Sequence, residues 1–154
     1  MTMTTSPTIT SATPDDIPGL CELLAILFAQ EADFRPDAAK QSAALREIIA
    51  HPDTGCILVL RNGGDIVGMV NLLFTVSTAC GGKVAILEDM VVLPALRGGG
   101  LGSELLQAAI ELARREGCLR ITLLTDRTND AAVRFYRRHG FGLSEMMPLR
   151  MALD

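Results

Sequence analysis

The chain has 154 residues, 49% of them apolar, and a formal net charge of −4. That length closes one hydrophobic core, so a single domain over 1–154 is expected, and the mild acidity excludes the basic face a nucleic-acid partner would require. The longest apolar stretch, Leu23 to Ala29, is too short to span a bilayer, and Met1-Thr2-Met3-Thr4-Thr5-Ser6 lacks the basic and apolar regions of a signal peptide, so no membrane partner and a cytoplasmic location are expected.

After a Thr/Ser/Pro-rich start expected to fray, Thr8 to Ala12 reads as a short strand. Pro14-Asp15-Asp16 opens a helix, with acids facing the positive end of its dipole and Leu20, Leu23, Leu24, Leu27 and Phe28 at helical spacing. A second helix is predicted from about Asp37 to Ala50, stopped by His51-Pro52. Cys56 to Leu60 and Asp65 to Val76 flank Asn62-Gly63-Gly64 and read as a hairpin. Val84 to Val92 is a third apolar strand carrying two adjacent acids, Glu88 and Asp89. Side chains alternate across a strand, so the two must face opposite sides unless a bulge intervenes, and at least one is expected on a functional face.

A glycine-rich segment, Arg97-Gly98-Gly99-Gly100-Leu101-Gly102-Ser103, follows Pro94 and enters a helix whose apolar stripe is Leu101, Leu105, Ala109, Leu112 and Ala113. Gly117 ends that helix, Leu119 to Thr125 reads as a strand, and Asn129 to His139 as a helix stopped by Gly140 in the left-handed position, with Phe141 as the apolar residue beyond it. Leu149 to Leu153 is predicted as a final strand. This order of elements indicates an α/β domain around a mixed sheet.

Cys21, Cys56, Cys80 and Cys118 have no metal-ligand spacing and read as reduced thiols packing like small apolar side chains, so no metal is expected. His139 lies where a cation suits a helix C-terminus, His51 at a surface helix end, and Arg134, Arg137 and Arg138 on a solvated face. Met146, Met147 and Met151 read as core or interface filler. The glycine segment carries the chemistry. Its backbone can approach a ligand closely, the unpaired amides and dipole of the helix start make an anion site, and Arg97 adds a fixed cationic fork, with Ser103 as a further donor. The Gly-Lys-Ser/Thr ending of a Walker loop is absent.

The segment resembles motif A of the GCN5-related N-acetyltransferase (GNAT) family, Gln/Arg-x-x-Gly-x-Gly/Ala, filled here by Arg97, Gly100 and Gly102. Asn129-x-x-Ala132-x-x-Phe135-Tyr136-x-x-x-Gly140-Phe141 resembles motif B at the family's separation, and Leu87 to Val92 is similar to the stretch before motif A in diamine and other amine acetyltransferases. The resemblance covers about Val84 to Phe141. It implies a single α/β (α+β) domain with a mixed, mostly antiparallel twisted sheet flanked by about four helices, and acetyl-CoA as acyl donor. It further implies that backbone groups of Met90, Val91 and Val92, on a strand splayed from its neighbour, meet the pantetheine arm. The amides of Gly98, Gly99, Gly100, Leu101, Gly102 and Ser103 would hold the pyrophosphate, and Asn129 would bond the pantetheine.

Tyr136, the only tyrosine, is implied as the acid that protonates departing coenzyme A, since a phenol of pKa ~10 donates without prior ionisation. The attacking amine must be neutral, which costs a primary amine roughly 4.6 kcal/mol at pH 7. Glu88 is the first candidate for the base and Asp89 the second, directly or through water; attracting the substrate cation is the other role for Glu88. The acceptor expected is a small-molecule amine; a protein N-terminus or lysine is the alternative, and a non-catalytic acyl-CoA sensor a third reading. The family also implies a homodimer, for which the sequence shows no interface signature.

Overall fold

The computed structural model describes residues 6–31 and 35–153; the expected frayed tip, residues 1–5, lies outside the described residues. The chain divides into two compact units, Met1–Leu124 and Thr125–Asp154.

In the first unit, strands β1 (Thr8–Ser11), β2 (Gly55–Asn62), β3 (Asp65–Ser77), β4 (Gly82–Val92) and β5 (Ile121–Leu123) lie side by side in sequence order. The first four pair antiparallel and β5 joins β4 in parallel, which makes the sheet mixed and mostly antiparallel, as expected. The β2–β3 connection is a two-residue turn between paired Asn62 and Asp65, with Gly63 at a φ of 63°, a conformation glycine adopts without Cβ strain. Helix α1 (Ile17–Gln30) follows a short 3-10 turn, Pro14–Asp16, and α2 (Ala38–Ala50) begins on Asp37, whose carboxylate accepts the Lys40 amide at 3.1 Å.

Alternation along the strands builds two apolar layers. Ile57, Val59, Met69 and Val91 share one face and form a core with Ile17, Leu20, Leu23 and Leu24 of α1 and Leu45 of α2. Each of these side chains contributes roughly 1.5–3 kcal/mol when removed from water. Leu58, Leu60, Val70 and Leu72 alternate onto the other face, where α3 (Leu101–Arg115) packs on β2, β3 and β4 through Leu105, Leu106 and Ala109. Asp16 pins the α1 entrance to β2: Arg61 donates from Nη1 and Nη2 to its two oxygens at 3.0 and 2.8 Å, and the Thr13 amide donates at 2.8 Å. This pairing holds the Asp16 carboxyl below the usual carboxylate range.

The second unit contains α4 (Asp130–Arg138). Its C-terminus closes as the glycine position demands: Gly140 has a φ of 97°, its amide donates to the Arg137 carbonyl, and the Phe141 amide donates to that of Tyr136. One expected strand fails. Residues 149–153 form no strand, and Leu149, Met151 and Leu153 are exposed. Their alternation supplies an apolar side, but a strand also needs a hydrogen-bonding neighbour, and that segment has no ladder partner. Met146, Met147 and Met151 are likewise exposed, which removes the core half of the expectation for them and leaves the interface half.

Candidate active site

β4 brings the acids and the glycine loop together. Asn71 of β3 pairs with Asp89, yet the next β3 residue, Leu72, pairs with Leu87, so Glu88 is one residue too many on β4. This bulge places Leu87 and Asp89, two positions apart, on opposite faces. Asp89 turns to the α1/α2 side with Asn71, and Glu88 is exposed. On its other edge β4 meets β5 only from Ala85 to Leu87, opposite Ile121 to Leu123. Among the described residues, Glu88 to Val92 have no strand neighbour there, so the backbone edge of Met90, Val91 and Val92 is unpaired on that side.

The two acids occupy different environments. Asp89 is partly buried; burial pushes its carboxyl up to about 6, opposed by a hydrogen bond that Asn71 Nδ2 donates to its Oδ2 at 3.2 Å and reinforced by the Glu88 charge. A carboxyl in that range is poised to exchange a proton near neutral pH. Asn71 is 3% exposed, and its Oδ1 is buried without a partner among the described residues. Sequence reasoning passed over Asn71, although a lone amide inside the apolar run Ile66 to Phe74 is an available signal.

The chain leaves β4 through Leu93 and a 3-10 turn, Pro94–Leu96, and enters α3 across the glycines. Gly98 and Gly100 have φ of 88° and 84°, so this path is strained for any residue with a Cβ. No heavy atom lies within 4 Å of a Cβ built at either, which leaves the loop's surface open to a ligand. Gly100 is also the N-cap of α3, so the first-turn amides of Leu101, Gly102 and Ser103 are available to an anion. Arg97 Nε donates to the Val92 carbonyl at 3.0 Å, fixing the guanidinium beside the loop. That carbonyl is thereby engaged, which narrows the backbone atoms of Met90 to Val92 available to a ligand.

In the second unit Asn129 caps α4, its side chain accepting the Ala132 amide at 3.1 Å. Tyr136 is half-buried and lies edge-on to Phe135 and Phe141, with ring centroids 5.3 and 5.7 Å away. His139 Nδ1 sits 2.8 Å from the Phe135 carbonyl and its ring against Phe135, a local role at the helix end. Arg134, Arg137 and Arg138 are exposed. The four cysteines are free thiols, each half-buried. Among the described residues no His, Cys, Asp or Glu cluster has metal-site geometry, and no helix is long and apolar enough to cross a membrane.

A mixed sheet that parts beside an anion-receptive glycine loop, with a raised carboxyl at the parting, is architecture suited to acyl transfer. Residues 20–141 match the family model described as the acetyltransferase (GNAT) family. The chain belongs to this family and is an acyltransferase. It is 32% identical to the aminoalkylphosphonate N-acetyltransferase of Salmonella typhimurium over 84% of this chain and 81% of that one. It is 29% identical to the glucosamine 6-phosphate N-acetyltransferase of Trypanosoma brucei brucei, over 77% of this chain and 71% of that one. Among solved structures, one described as a transcriptional regulator from Bacillus halodurans superposes with a TM-score of 0.80 at 31% identity, covering 96% of this chain and 99% of that one.

Proposed function

We propose that this chain, as one N-acetyltransferase domain over residues 1–154, moves the acetyl group of acetyl-CoA onto a primary amine of a small molecule by direct attack in a ternary complex. The observation that carries the reading is the β4 bulge, which sets a raised carboxyl, Asp89, on the same strand that leads into the anion-receptive loop. Membership of the family and the names of two relatives that act on small amines support it.

In this reading Arg97 and the amides of Gly98 to Ser103 hold the pyrophosphate of coenzyme A, and Asn129 bonds its pantetheine arm. A backbone N–H of Met90, Val91 or Val92 faces the thioester carbonyl and stabilises the oxyanion, an interaction worth about 3 kcal/mol in other enzymes. Asp89 takes a proton from the acceptor ammonium, directly or through water, while Glu88 draws the cation in. Burial lowers the ammonium pKa as it raises that of Asp89, so the transfer becomes less uphill than in water. The freed nitrogen lone pair attacks the carbonyl carbon and the C–N bond forms; as the C–S bond breaks, Tyr136 protonates the leaving thiolate, and the second proton, shed by the now cationic nitrogen through water, restores the phenol. We place the protein in the cytoplasm; a homodimer rests on the family resemblance alone.

Release of coenzyme A, followed with a thiol reagent across aminoalkylphosphonates, glucosamine 6-phosphate, polyamines, aminoglycosides, amino acids and peptides, tests this function. Turnover on a small amine supports it. Turnover confined to peptides moves the acceptor to a protein N-terminus or lysine. Cofactor binding without turnover on any acceptor makes the chain a sensor.

A further inference from the structure

We propose that Asn71 is a positioning residue of the reaction: its amide fixes the Asp89 carboxyl at the β4 bulge and bonds it in both charge states of the proton transfer. The inference rests on the reading of Asp89 as the base. Asn71 is the β3 residue directly opposite Asp89; alternation along β3 turns Asn71 toward α1 and α2, and the bulge turns Asp89 to the same side. Its Nδ2 donates to Asp89 Oδ2, which satisfies an ionised carboxylate. Its Oδ1 is the buried side-chain oxygen left without a partner among the described residues, a costly arrangement for an atom with no task.

The chemistry of the cycle supplies the task. When Asp89 accepts the ammonium proton, the N–H bonding pair remains on nitrogen as the attacking lone pair, and the carboxylate becomes a carboxylic acid with an O–H to donate. A half-turn of the Asn71 amide puts Oδ1 where Nδ2 had been and receives that O–H. The pair then makes one hydrogen bond before and after the transfer, and the carboxyl stays in register with the amine. When the proton passes on to water, the amide turns back.

Charges around the pair leave this control to the amide. The charge acting on Asp89 is that of Glu88 on its own strand. Asn71 itself is uncharged, β3 otherwise carries Asp65 at its start, β5 (Ile121–Leu123) has no titratable side chain, α1 brings Cys21 and Glu22, α2 brings Lys40, Arg46 and Glu47, and α3 brings Glu104, Glu111, Arg114 and Arg115 from the other side of the sheet.

The test follows the Asp89 carboxyl carbon by NMR across pH in the intact protein, without cofactor or acceptor, and the acid limb of kcat/KM separately. In Asn71→Leu, which keeps the shape but neither donates nor accepts, the Asp89 midpoint should rise from about 6 by about one pH unit, the amount by which a hydrogen bond to the charged carboxylate exceeds one to the neutral acid. The acid limb should rise with it, and activity at pH 9, where the base is ionised in both proteins, should stay well below wild type because the carboxyl is no longer held in register with the amine. An unmoved midpoint overturns the role of Asn71. A moved midpoint with an unmoved limb overturns Asp89 as base, and with it this proposal, while leaving acetyl transfer itself standing. Should Asn71→Leu fail to fold, the wild type decides: the Asn71 side-chain amide signals must titrate with the Asp89 carbon, and amide signals that ignore that titration refute the inference.

Discussion

Glu88 and Asp89 are neighbours in sequence with nearly identical chemistry, and the register shift that makes Glu88 the extra residue of β4 leaves it exposed while Asp89 turns toward α1 and α2. A carboxyl held at about 6 instead of 3.8 keeps its proton in the folded chain over an interval where the unfolded chain has lost it. Folding stability therefore falls as pH rises from about 4 to about 6, by roughly 3 kcal/mol in all, and stays reduced above. Asp89→Asn should abolish this slope in thermal melts and leave the protein more stable than wild type at pH 7 to 8. The same variant should lose about 10²-fold or more in kcat, and wild-type kcat/KM should fall below about pH 6, where the base is protonated. An Asp89→Asn enzyme with wild-type turnover would return the base to Glu88. Tyr136→Phe should lower kcat by about 10²-fold with little change in acetyl-CoA KM; unchanged turnover at every pH would remove the phenol from the reaction. Two acids inside an apolar strand were visible in the sequence as a functional signal. Which one is buried, and that Asn71 faces it, depends on a register shift between two strands that no local pattern encodes.

At the scale of elements, turns and helix ends follow the residues closely. Gly63, Gly117 and Gly140 each sit at a positive φ where a hairpin or helix terminates, because their conformational need is local. The loop before α3 obeys the same rule, and Gly98 and Gly100 give its proposed hold on the cofactor a direct test. Gly100→Ala should cost about 1–2 kcal/mol of stability through strain at a left-handed position. It should also raise the acetyl-CoA Kd, read by calorimetry, about tenfold or more, since the α3 amides would no longer be presented to the anion. Unchanged affinity in a folded variant would take the pyrophosphate away from this loop. Strands are harder to read than helix ends. Leu149 to Leu153 has the alternation of a strand and forms none, and the strand expected over Leu119 to Thr125 shrinks to Ile121–Leu123, because pairing depends on what lies alongside.

Across the whole sheet the Asp16–Arg61 pair joins residues 45 apart in sequence, tying the start of α1 to β2 beside the core of Ile17, Leu20 and Val59. Both partners are largely withdrawn from water. Asp16→Ala strands the Arg61 guanidinium and should destabilise the protein by about 2–4 kcal/mol in urea unfolding at pH 7. Because the folded chain lowers the Asp16 pKa, this contribution is present above about 3.8 and disappears as pH falls through the lowered value, so wild type and variant should converge in strong acid. A gap that persists there would mean that packing, not the ion pair, explains the loss. The sequence by itself determined the family, the order of helices and strands as far as α4, and the glycine-rich entry to α3, because glycine conformation, helical periodicity and motif spacing are local properties of the chain. Only the tertiary structure decided that β4 carries a bulge, that it parts from β5 after Leu87, and that Asp89 rather than Glu88 is withdrawn from water beside Asn71. Register and burial are set by how distant segments pack, and neither is written in any one of them.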